Sequence, residues 1–175
     1  MASPLDFDFE TELQREIPTP VKVAIADVVI AWAHLDVGLT QWFGKAFGMR
    51  PFEASVAIGR MDNKTKLDRL ERLHEVRKQP RLAERAKAIS KAMKQDVELR
   101  NAIAHHACIG VLSSDHNKAV FMTQIPDKSH PDYKQIVFYS VSQMASAAEA
   151  ATQIKMDLFP VFQVFAGGLK DMADN

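Results

Sequence analysis

From Val21 to Phe43, apolar side chains recur at helical spacing: Val21, Ile25, Val28, Trp32, Leu35, Leu39, Trp42 and Phe43. Steps of three and four residues place them on one side of an α-helix. Other elements must then cover a stripe about 30 Å long, at 1.5 Å per residue. Thr19-Pro20 is the expected start, with Thr as N-cap and Pro at the first helical position, and the helix should run from about 20 to about 47, ending near Gly48. Val21 to Leu39 is the most apolar stretch of the chain, but Lys22, Asp27, His34 and Asp36 interrupt it. That predicts a core helix rather than a membrane span. At 175 residues, 47% apolar and 25% charged, the chain has the material for one domain with a real core.

Further helical signals follow. Pro51 to Ile58 reads as a short helix stopped by Gly59. Asp62 or Asn63 then caps a helix with Leu67, Leu70, Leu73 and Val76 on one side and Lys64, Lys66, Arg69, Arg72 and Arg77 mostly on the others. His74 sits at its edge, and Gln79-Pro80 breaks it. A long helix is expected over about 81–106, because Leu82, Ala86, Ile89, Met93, Val97, Arg100 and Ala104 keep to one face. Ala107 to Leu112 and Lys118 to Gln124 read as a hairpin around residues 113–117, and Lys134 to Tyr139 as a third strand. Ser140-Val141-Ser142-Gln143 matches a capping box. The last helix should carry Met144 through Phe165, kinked at Pro160 and ended by Gly167-Gly168. The expected fold is mainly α, an antiparallel helical bundle with a small β-hairpin or three-stranded insert before the last helix. Residues 1–18 form an acidic arm and residues 19–168 a single helical domain.

Net charge is zero, which excludes a globally basic nucleic-acid coat. The charges are unevenly spread. Residues 1–20 hold five acids against one arginine, and residues 61–100 hold twelve Lys and Arg against seven Asp and Glu. The arm and the basic middle attract each other, or the middle faces an anion. Cys108 is the only cysteine, so neither a disulfide nor a thiolate cluster forms within the chain. His34 and Asp36 do not share a helix face, and His116 and His130 lie in loops without partners at ligand spacing, so no metal and no cofactor is expected. Phosphate-binding glycine loops, nucleophile elbows and metalloprotease motifs are not found. The N-terminus has no basic region followed by an apolar run, and the expected location is the cytoplasm.

The chemistry-bearing segment is Arg100-Asn101-Ala102-Ile103-Ala104-His105. Arg100 falls on the apolar side of its expected helix, where a cation is costly unless paired. Asn101 and His105, four apart, share a flank about 40° wide. This segment resembles the Arg-x4-6-His signature of the HEPN superfamily, including the polar residue after the Arg. The surrounding plan is similar over roughly residues 20–165: a long helix ending in the motif, a hairpin, a final helix.

The resemblance implies a metal-independent endoribonuclease of the toxin type. Arg100, Asn101 and His105 are then the catalytic residues. Imidazole titrates near neutral pH and suits His105 as base or acid for attack by the RNA 2′-OH. The Arg100 fork stabilises charge on the phosphate, and Asn101 orients His105 or holds a substrate oxygen. His106 fits the same spacing and, with Lys64 and Lys66 of the basic run, is assigned to binding. A homodimer is implied, with two motifs facing one cleft near the aromatic end of the first helix. The partners implied are RNA and an antitoxin or regulatory protein, with no membrane. Two alternatives stand beside this: a non-catalytic interaction or regulatory module of the same superfamily, like the mannitol operon repressor, and a nucleotide- or anion-binding module centred on Arg100. In a purely structural role Arg100 reaches a carboxylate such as Asp27, Asp36 or Asp157, and Asn101 and His105 cap the helix end.

Overall fold

Thr19–Ala46 is one unbroken helix of 28 residues, α1, in a computed structural model that describes residues 7–124, 134–158 and 161. It takes in Thr19 itself, since the Pro18 carbonyl accepts the Val21 and Lys22 amides at 3.1 and 3.2 Å. The chain is mainly helical with a small antiparallel sheet. Its residues group into two compact units, one from Met1–Ile30 and Asp96–Glu149, the other from Ala31–Gln95 and Ala150–Asn175.

The second unit holds the C-terminal part of α1, then α2 (Pro51–Ile58), α3 (Asn63–Val76) and α4 (Pro80–Met93). Leu35, Leu39, Trp42, Leu67, Leu70, Ala86 and Ile89 are among its core residues. Trp42 and Phe43 are buried in that core, and only Phe47 of the aromatic end stays partly exposed. Gly44 lets α2 approach α1, because a Cβ there would stand 2.6 Å from the Ala54 Cβ. Asp62 caps α3 by accepting the Thr65 amide at 2.8 Å. The buried side of α3 differs from the expected leucine stripe. Lys66, Leu67, Leu70 and His74 are buried, while Leu73 is half-buried and Val76 exposed. Lys66 therefore leaves the exposed basic face to which the spacing assigned it, and His74 is a core residue rather than an edge one. Both inward positions have a chemical reason. The Lys66 ammonium donates to Asp36 Oδ1 at 2.6 Å and Thr40 Oγ1 at 3.0 Å. The His74 ring stacks on Trp42 at 5.8 Å, with Nδ1 2.8 Å from Gln79 Oε1.

The helix expected over 81–106 is two helices. α4 ends at Met93, residues 94–96 form a turn, and α5 spans Val97–His105. The break changes which side chains face inward. Leu99 and Ala102 are buried, Val97 and Ala104 are exposed, and Arg100 is half-buried. A continuous helix would have buried the cation in the stripe. The turn puts hydrocarbon there instead, which lowers the desolvation cost.

The first unit contains α5 and a sheet of order β1-β2-β3-β4, antiparallel throughout: Leu13–Gln14, Ala107–Leu112, Asp115–Gln124 and Lys134–Ser140. Residues 113–114 make a two-residue turn, so β3 starts three residues before the expected Lys118. The fourth strand, unforeseen, is β1 from the acidic N-terminal segment, pairing Leu13 with Leu112 and Gln14 with Val111. It passes close to Gly110, where φ is +153° and a Cβ would lie 2.3 Å from the Gln14 carbonyl oxygen. The helix α6 (Val141–Asp157) opens with the expected capping box. The Ser140 amide donates to Gln143 Oε1 at 2.9 Å, and the Gln143 amide to Ser140 Oγ at 3.1 Å. The expected kink at Pro160 and stop at Gly167-Gly168 lie outside the described residues.

Candidate functional site

α5 is short, with Glu98, Arg100 and Asn101 among its first five residues and His105 as its last. The Arg100 amide bonds the Asp96 carbonyl at 2.9 Å, closing the first turn. Leu99 and Ala102 anchor the helix in the first unit, where α5 packs against β3. Anchoring on those two residues leaves Asn101 and His105 exposed and Arg100 half-buried. The helix ends at His105. His106 is its C-cap, with extended dihedrals (φ −102°, ψ 151°) and its amide on the Ala102 carbonyl at 2.9 Å, and β2 starts at the next residue.

Arg100 and Asn101 are directly joined, Arg100 Nη1 donating to Asn101 Oδ1 at 3.0 Å. Asp36 and Asp157, two of the carboxylates suggested for Arg100, have partners in Lys66 and Arg85. One face of the guanidinium is thus held by a neutral carboxamide, which fixes its direction without cancelling its charge. His105 stands on the last turn of the helix and is exposed. His106 is half-buried, and its Nδ1 is buried with no hydrogen-bond partner among the described residues. Two imidazoles therefore leave the same helix end in different settings, one in water and one partly enclosed.

Nearby groups complete the electrostatics of this unit. Burial raises the Asp96 carboxyl above its ordinary value. Burial, then the Glu98 charge, raises the Tyr139 phenol, and burial raises the Cys108 thiol. None of these groups is activated as a nucleophile. Among the described residues no group of three His, Cys, Asp or Glu is placed to hold a metal ion.

Lys64 and Lys66 belong to the other unit. Lys64 is exposed in the first turn of α3 and free to meet an anion in water. Lys66 is completely buried on Asp36, so its ammonium is not presented to a ligand. The polar cluster of Asp36, Thr40, Asn63 and Lys66 was missed from sequence. Its only signal is spacing, i,i+4 on α1 and i,i+3 on α3. Comparison of the chain with known protein families, curated proteins and solved structures finds no match.

Proposed function

We propose that the chain is a HEPN-like protein that acts on RNA, with α5 and its C-cap as the working surface. The observation that carries this reading is the helix end itself: an Arg held by its neighbouring Asn, then two imidazoles on consecutive residues, one the last of the helix and one its cap. Such a set supplies what cleavage by the RNA's own 2′-OH needs. An imidazole takes the 2′-OH proton as the oxygen attacks phosphorus. The guanidinium stabilises the charge gathering on the phosphate oxygens. A protonated imidazole from the second motif of a dimer gives a proton to the departing 5′-oxygen, and a 2′,3′-cyclic phosphate remains. His105 is the first choice for proton transfer because it is exposed. His106 and Lys64 contribute to binding. Lys66 drops out of that role.

Within one helix, Arg100 and His105 project about 140° apart and about 7.5 Å apart along the axis. One phosphate meets both more easily when a second protomer supplies the other group. The active form in this reading is a cytoplasmic homodimer, with an antitoxin or regulatory protein as its partner in the cell.

Purified protein should cleave single-stranded RNA in excess EDTA and leave cyclic phosphate ends. His105→Ala should lower the rate by about 10²–10⁴-fold, the usual contribution of one acid–base group. Arg100→Ala should also lose activity. If wild type and His105→Ala are equally inert across a broad RNA panel, the nuclease reading fails. A specific observation favours the non-catalytic HEPN-like module as second reading: the divergence of Arg100 and His105 within one chain. RNA binding that Arg100→Ala weakens, without cleavage, would select it.

A further inference from the structure

α2 is a surface helix with apolar residues on the wrong side. Ala54 and Ile58 are its buried residues, and Gly44 lets Ala54 approach α1. The opposite side of such a helix should carry polar or charged groups to water. Instead Phe52 and Val56 stand there, about 120–160° around the axis from Ala54 and Ile58. They are 79% and 72% exposed. Four residues apart, they are neighbours on the helix surface and form one ridge. Ser55 and Gly59 beside them are small and exposed, so the ring and the branched side chain protrude.

Cations stand at both ends of the ridge. Arg50 is the N-cap residue of α2, Arg60 follows its C-cap Gly59, and both are exposed. Lys45, in the last turn of α1, is exposed as well. Residues 45–60 hold these three cations against a single acid, Glu53. That carboxylate is engaged by the Arg50 amide at 2.9 Å and by Arg50 Nε at 2.8 Å. Arg60 has no ion pair among the described residues. The surface is thus apolar along its centre and net cationic at its rim, and all of it belongs to one compact unit. It is also convex, being the outer line of a helix. A protein partner would need a groove built to that shape. The headgroup region of a bilayer admits a protruding ring without a preformed cavity, and anionic lipids complement the flanking cations.

We propose that α2 is an interfacial anchor for an anionic membrane surface. Phe52 and Val56 enter the boundary between headgroups and acyl chains, while Arg60, with Lys45 and Arg50, meets lipid phosphates. So small an apolar wedge binds reversibly and depends on the cations, so salt weakens it. The contact is peripheral and departs from the expectation that no membrane is a partner. It requires no chemistry at α5.

The full chain should sediment with phosphatidylcholine–phosphatidylglycerol vesicles at low salt, and much less with pure phosphatidylcholine vesicles or at high salt. Phe52→Glu should lower the partition coefficient by about tenfold or more, the loss of one buried aromatic side chain. Arg60→Glu should lower it by about tenfold or more on the anionic vesicles through charge reversal. Both positions are exposed, so circular dichroism and melting should match the wild type. Phe52→Trp should keep binding and place an indole that brominated acyl chains quench. A wild type that ignores anionic vesicles overturns the proposal. So does vesicle binding that Phe52→Glu leaves unchanged, or a Phe52→Trp indole that brominated lipid does not quench. A Phe52→Glu chain that melts well below wild type shows the ridge covered by its own chain and overturns it too. Self-association of the wild type that Phe52→Glu abolishes, with no vesicle binding, gives the ridge to a second copy, with the same consequence. Vesicle binding is read without RNA, so its failure leaves the reading of α5 standing, and inert α5 variants leave the anchor standing.

Discussion

Lys66 and Asp36 form an unequal ion pair, and the inequality predicts an asymmetric response to mutation. The lysine side chain has no exposure, whereas Asp36 keeps 41% of its own. Removing the carboxylate with Asp36→Ala strands an ammonium away from water. It keeps only Thr40 Oγ1 at 3.0 Å and Asn63 Oδ1 at 3.5 Å. An uncompensated buried charge of this kind costs about 3–5 kcal/mol. Removing the ammonium with Lys66→Met leaves a carboxylate that turns to solvent, while the methionine fills the volume of the lysine stem. That change should cost about 0–1 kcal/mol. At about 2–4 °C per kcal/mol for a chain of this size, Asp36→Ala should melt about 6–20 °C below wild type and Lys66→Met within about 4 °C of it. The double variant should melt above Asp36→Ala, because the stranded charge is gone. Thermal and urea unfolding followed by circular dichroism measure all three. Equal losses from the two single changes, or a greater loss from Lys66→Met, would refute the argument from burial.

Three further outcomes follow from the same structure. Burial, only partly offset by the Gln79 hydrogen bond, lowers the His74 imidazole below its ordinary value of 6.5, so the unfolded chain binds the extra proton first. Stability is therefore full above that value and falls as pH drops below it, and His74→Phe should flatten this part of an unfolding-versus-pH curve. Asp96 is shifted the other way by burial, so its ionised form opposes folding at neutral pH, and Asp96→Asn should raise the midpoint of urea unfolding at pH 7 but not in strong acid. Gly44→Ala places a Cβ 2.6 Å from the Ala54 Cβ and should destabilise by about 1–3 kcal/mol in calorimetry, whereas Gly38→Ala meets only the movable Leu158 Cδ1 at 2.9 Å and gains about 1 kcal/mol of helix propensity against it.

Local rules were strongest where one residue carries the signal. Pro51 and Gly59 bound α2, Asp62 caps α3, and Ser140 with Gln143 opens α6. They were weakest where burial is settled by a partner far along the chain. Lys66 is inward because Asp36, thirty residues away, receives its charge, and hydropathy counts that lysine as surface. The α4–α5 break carries no glycine or proline. Met93, Val97 and Arg100 continue the helical spacing across it, so periodicity passes over residues 94–96 unchanged. β1 is two residues long, too short for alternation to register, and rests on an approach to Gly110 that only the fold reveals. At the candidate site the Arg100–His105 segment was legible as a motif. The exposure of His105, the enclosure of His106 and the Arg100–Asn101 bond depend on which side of α5 the turn faces inward.

Each compact unit is assembled from two separated stretches of chain, and this bears on how the molecule is made. During synthesis α2, α3 and α4 emerge early, but their unit also takes in residues from Ala150 onward. The unit carrying α5 needs β4, whose last residue is Ser140, before its sheet is complete. Neither unit can therefore finish folding until most of the polypeptide has left the ribosome. A frameshift or stop between His106 and β4 leaves the Arg100–His106 segment translated but without its full sheet, so a truncated product carries the motif without the frame that orients it.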